Sequence, residues 1–267
     1  IPLELQPATH YDLGSPDSYN NLYRHITNQP ARQKSDVGTP RKMPPLPSLQ
    51  RKQGFGGPPW NVPLPPNPFF TGRDSVLTDI AKALPSCGAA ALSGIGGIGK
   101  SETAAHYAYL HKGEYSGVFW ASAASRETLV SDFASIAALL GLPESTAKEQ
   151  ELVIAAVKRW LEKNAGWLLI LDNANDLVLA RSFVLATNKG HTLLTTQAHA
   201  TGTIERVEIP MMVPKEGALF LLRRAKIIGK SAPVTDASKP GQETAEVISS
   251  ELGGLPLALD QAGAYIE

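Results

Sequence analysis

Six residues in “ALSGIGGIGKSETAA”, 91–105, carry chemistry by type and spacing: Gly94, Gly96, Gly97, Gly99, Lys100 and Ser101. Two patterns overlap in them. Gly94, Gly96 and Gly99 satisfy G-x-G-x-x-G, the fingerprint of a dinucleotide loop. Gly94, Gly99, Lys100 and Ser101 satisfy G-x-x-x-x-G-K-S, a phosphate-binding P-loop. The first pattern implies NAD or FAD, the second ATP or GTP. One loop cannot serve both.

The dinucleotide pattern requires an acid about 20 residues on, at the end of the next strand, to hold the ribose hydroxyls. That region reads “GVFWASAAS” and has no acid; Glu114 precedes it. The P-loop pattern requires a strand before the loop, a helix after it, and a second strand ending in an acid. “AAALS”, “KSETAAHYAYL” and “WLLILD” supply all three. Backbone N–H groups of Gly97, Ile98 and Gly99, at the positive end of the helix, then cradle phosphate oxygens. Glycine is needed because side chains would block that approach. Lys100 gives a point charge to the terminal phosphates. Ser101 and Asp172 give two oxygens to Mg²⁺. Lys100 and Asp172 are thus the residues for chemistry, and Ser101 and Asp172 the metal ligands.

These residues need a scaffold, and the hydrophobic pattern from residue 70 onward supplies one. Short apolar runs at 89–93, 117–123, 167–173, 191–197 and 206–210 read as strands. Helical spacing recurs at 100–110, 129–140 and 152–161. The alternation predicts an α/β, doubly wound parallel sheet of P-loop NTPase type. After Pro214 the pattern turns helical, at 215–228, 242–252 and from Leu255 onward, which predicts a small helical domain. The expected division is a Pro-rich N-terminal tail (1–58), a nucleotide-binding domain (59–212) and a helical domain (213–267).

Fourteen of the 21 prolines fall in residues 1–70, which argues against regular structure there. The tail is read as an extended linker. Its “PPLPSLQRK” also resembles ligands of proline-recognising modules. The 267 residues carry 25 basic and 25 acidic side chains, so no global field favours nucleic acid or a membrane surface. The lone cysteine, Cys87, excludes an intrachain disulfide and suggests a reducing, cytoplasmic setting. No apolar run reaches membrane-spanning length, and the chain, which starts at Ile1, is read as a fragment.

Further motifs surround the P-loop in order: “NPFFTGRDSVL”, “GVFWASAASRETL”, “LLILDNAND”, “TLLTTQ” and “GGLPLAL”. Over residues 60–267 this ordered set resembles the NB-ARC module of the STAND ATPases. That class includes plant resistance receptors, apoptosome scaffolds and NOD-like sensors. “VPLPPNPFFTGRD” and “DNAND” are most like its fungal and bacterial branch. The resemblance implies an ATP/ADP switch with Mg²⁺, self-oligomerisation on activation, and sensor repeats and an effector domain beyond this segment. It places Phe70, Gly72 and Arg73 at the adenine, and Leu255 and Pro256 over it from the helical domain. Glu102 follows the P-loop serine on the nucleotide side. Thr196 and Gln197 take the γ-phosphate end.

Two departures bear on catalysis. The family’s Thr-Thr-Arg reads Thr195-Thr196-Gln197 here, and an amide cannot give arginine’s charged bidentate contact. Asn173 follows Asp172, where many ATPases carry an acid, and an amide is a poor general base. Asp176 either substitutes through water or is a capping or solvated residue. Arg126 is either an alternative phosphate sensor or a surface residue. The expectation is nucleotide binding with slow or absent hydrolysis. The rival classes are an ordinary P-loop ATPase, a DNA-binding STAND regulator and a degenerate scaffold.

Overall fold

The computed structural model describes residues 57–185 and 187–267. The proline-rich tail, apart from Gly57 and Pro58, lies outside the described residues. Five strands form the sheet: β1 (Ala89–Ser93), β2 (Gly117–Ser122), β3 (Trp167–Asp172), β4 (Gly190–Thr196) and β5 (Glu205–Glu208). All four pairings are parallel, in the order β2-β3-β4-β1-β5. The α/β parallel fold read from the sequence is therefore present.

Alternation along the strands feeds two cores. Leu168 and Ile170 of β3 pack with Ala90 and Leu92 against α1 (Asp74–Cys87) and α2 (Lys100–Leu110). Leu169 and Leu171 face the other way, onto α3 (Arg126–Leu139) and α4 (Gln150–Lys163). Phe133, Ile136, Val157 and Leu161 supply the helical side of that second core. Ser125 starts α3 with a reciprocal cap, its Oγ accepting from Thr128 N at 3.2 Å.

Helix α1 has no counterpart in the sequence reading, although Val76, Leu77, Ile80, Ala83 and Leu84 are buried at helical spacing. Pro85 in its last turn masks the signal. A short helix, α5 (Leu177–Arg181), was likewise not expected. The segment before α1 covers the β2 edge. Asn61 Nδ2 donates to Trp120 O at 3.0 Å, and Asn61 Oδ1 accepts from Trp120 N at 2.7 Å.

Three further helices follow: α6 (Pro214–Arg224), α7 (Lys239–Glu251) and α8 (Pro256–Ile266). Proline opens both α6 and α8, where its missing N–H costs nothing. Ala218, Leu221, Leu222 and Ala245 form a separate small core among them. The turn into α8 is tied back to the β5–α6 connector, with Met212 N donating to Gly254 O at 3.0 Å. Gly254 sits at φ +64°, and a Cβ there would meet Met212 O at 2.0 Å, so only glycine fits.

Candidate nucleotide site

Parallel strands all end on one edge of the sheet, which makes that edge a ligand crevice. β4 lies between β1 and β3. The loop after β1, the acid ending β3 and the Thr195–Gln197 corner of β4 therefore meet at one place. A cleft of 580 Å³ opens there, of nucleotide size. Its walls come from the phosphate loop, from Asp172, from the 67–73 segment and from Pro256, Leu257 and Asp260 of α8.

Gly97 (φ +76°) and Gly99 (φ +92°) turn the loop into the first residue of α2. Lys100 Nζ donates to the carbonyls of Gly94 and Ile95, each at 2.8 Å, arching over its own loop. Burial lowers the pKa of this ammonium, and the nearby Asp172 charge opposes that shift.

Ser101 Oγ donates to Asp172 Oδ1 at 2.7 Å, joining the two residues read as metal ligands. Thr195 Oγ1 donates to the same oxygen at 2.5 Å and accepts from Asn173 N at 2.8 Å. Thr195 is 1% exposed. Its hydroxyl thus fixes both the carboxylate and the backbone after it. Two oxygen donors, one a carboxylate, beside a phosphate loop fit Mg²⁺, which takes few protein ligands and keeps water and phosphate. Ser101 and Asp172 are the residues that would hold it.

Phe70, Arg73, Gly96, Gly97, Ile98, Gly99, Lys100, Ser101, Glu102, Asp172, Gln197 and Pro256 all line the cleft. Gly72, Gly94, Thr196 and Leu255 do not. Thr196 is fully buried, its Oγ1 accepting from Ala198 N at 3.1 Å. Gly94 lies under the side chain of Ile98. Leu255 packs into the core beside α1 and α2.

Arg73 reaches the cleft but is 7% exposed, and its guanidinium donates to Pro210 O and to Ile98 O. Burial lowers its pKa, with Glu216 opposing. It links the phosphate loop to the connector leading into α6. Asp176 caps α5, its Oδ1 accepting from Val178 N at 2.9 Å and Leu179 N at 3.0 Å. Arg126 pairs with Glu151 on the surface. Neither residue lines the cleft.

Asn67, Thr71, Phe220, Leu257 and Asp260 line the cleft without having been read from sequence. Asp260 was reachable, because it follows Pro256 by one helical turn on the same face. Phe220 was not, since its place depends on how α6 packs.

Residues 84–197 match the family model described as “AAA domain”. Over those residues the chain is similar to an AAA-type domain, and its P-loop NTPase fold implies nucleotide binding. It is 27% identical over 236 residues to a nucleotide-binding leucine-rich repeat (NLR)-like protein of Hyaloscypha variabilis, covering 78% of this chain and 23% of that one. It is 28% identical over 214 residues to the regulatory protein AfsR of Streptomyces griseus, covering 74% and 21%. The chain spans less than a quarter of either relative. Among solved structures it resembles a Walker-type ATPase of Pyrococcus abyssi, with a TM-score of 0.50 at 14% identity over 73% of this chain and 67% of that one. That likeness concerns the fold. Among the described residues, no helix is long and apolar enough to cross a membrane.

Proposed function

We propose that this chain is the nucleotide-controlled switch of a NOD-like, NB-ARC-type signalling protein, in which 59–212 bind the phosphates and 213–267 close over the base. The observation that carries the reading is one cleft lined by both parts: Lys100 and Ser101 on one wall, Pro256 on the other. Similarity to the NLR-like protein supports it.

In this reading the N–H groups of the 97–101 turn and Lys100 hold the phosphates. Ser101 and Asp172 ligate Mg²⁺, which screens phosphate charge when bound. Phe70 and Pro256 enclose adenine. The diphosphate favours the closed arrangement, and the triphosphate an open one that self-associates. Such a switch needs the two nucleotides to bind the two conformations with different affinity. Gln197 and Asn173 stand where the family carries an arginine and many ATPases an acid, so hydrolysis is slow or absent. Sensor and effector modules lie outside this segment, in a cytoplasmic protein.

A nucleotide-regulated transcription regulator is the second reading, favoured by the similarity to AfsR. It uses the same switch with a different output. Hydrogen exchange across 252–266 tests the switch itself. Stronger protection in Mg-ADP than in Mg-ATP is expected, and equal protection with both nucleotides bound would refute it.

A further inference from the structure

Phe70 lines the cleft from a segment that has no regular structure of its own. A ring on such a segment needs an outside support to hold its plane. His106 of α2 supplies one. The two rings lie flat on each other, with centroids 3.7 Å apart and planes within 4°. His106 does not itself line the cleft. It covers one face of Phe70 from outside, while Phe70 itself lines the cavity and packs on the adjoining core.

The same helix face holds the segment a second time. Glu102 stands four residues before His106, one helical turn away. Its carboxylate accepts from Asn67 Nδ2 at 3.2 Å. Asn67 Oδ1 accepts from Phe69 N at 2.9 Å, and Asn67 O from Phe70 N at 3.3 Å. The helix that begins at the phosphate loop therefore also fixes the aromatic wall. Burial lowers the pKa of His106, with Asp74 opposing, so the imidazole stacks as a neutral ring at pH 7.

We propose that His106 is the positioning residue of the base site, backing Phe70 so that a purine completes a three-ring stack on it. The proposal rests on the adenine-nucleotide reading of the cleft. Base–aromatic stacking tolerates any flat base, so His106 sets affinity for the base and leaves the phosphate contacts alone.

The test is calorimetric titration of the full 267-residue chain with Mg-ADP and, separately, with Mg-pyrophosphate. His106→Ala should weaken ADP about tenfold and pyrophosphate less than about twofold, as expected for loss of a stacking contact. His106→Phe should return ADP to within about threefold of wild type, because an aromatic ring again backs Phe70. Unchanged ADP affinity in His106→Ala overturns the proposal. So does an equal loss of pyrophosphate, which would mark a damaged loop, or an ADP affinity in His106→Phe no better than in His106→Ala. A wild-type chain that binds pyrophosphate as tightly as ADP fails the adenine reading instead, before any variant is compared.

Discussion

The backbone N–H of Leu257 donates to the carbonyl of Gly97 at 3.2 Å. The first turn of α8 is thereby bonded to the phosphate loop itself. Under the proposed switch, a shift of the loop on loading would pass to Pro256, the neighbouring residue. Gly97 allows this approach twice over. Its φ of +76° suits glycine, and a Cβ there would lie 3.0 Å from Leu257 Cβ. Gly97→Ala should therefore cost about 1–3 kcal/mol of stability through left-handed strain. It should also reduce nucleotide affinity, because the loop and α8 no longer fit. Thermal unfolding and ADP titration of the same sample check both effects.

Lys100→Ala removes the one loop cation that reaches over the phosphate site. Nucleotide affinity should fall by at least about 100-fold, the scale of a buried charge-assisted contact. The fold should persist, since among the described residues the Lys100 ammonium bonds only to carbonyls of its own loop. A circular dichroism melt within a few degrees of wild type checks that the loss is local.

Thr195→Val tests the positioning of Asp172. The substitution keeps shape but removes the acceptor of Asn173 N–H and the Thr195 bond to the carboxylate, leaving the bond from Ser101. Asn173 is exposed, so the lost hydrogen bond costs about 0.5–1.5 kcal/mol. The benefit of Mg²⁺ to ADP binding should shrink several-fold, while binding in EDTA stays near wild type. Thr195→Ser should behave as wild type in both conditions.

Asn173 stands at φ +61°, a backbone state that aspartate also tolerates. Its Oδ1 accepts from Asn175 Nδ2 at 2.9 Å. Replacing the amide with a base should raise ATP turnover if the missing carboxylate limits hydrolysis. Asn173→Asp should increase phosphate release about tenfold or more, toward the range of general-base catalysis. Wild type should stay below about one turnover per minute, far under typical enzyme rates.

The sequence disclosed what is local in the site. The loop, its helix and the acid closing β3 follow from spacing alone, because each sits at the junction of a short apolar run and a turn. β4 was readable as a strand, but its place between β1 and β3 was not. That insertion is what brings Thr195 onto Asp172. Arg73 shows the same limit. The resemblance placed it at the adenine and it lines the cleft, but that its guanidinium donates to Pro210 O and Ile98 O follows from tertiary packing that spacing does not reveal. Helix α1 had a clear apolar period that Pro85 and the neighbouring “GRD” motif obscured. The Phe70–His106 stack joins residues from two segments and leaves no trace in spacing.

In the proposed reading, this loop holds an adenine mononucleotide by its phosphates. Titration of the nucleotide-stripped chain with ADP, ATP, GTP and NAD in the presence of Mg²⁺ tests it most directly. ADP and ATP should bind one to one, with GTP and NAD weaker by about tenfold or more, as expected for a site that spends its contacts on terminal phosphates and adenine. Preferential binding of NAD, or no binding of ADP and ATP at millimolar concentration, would contradict it.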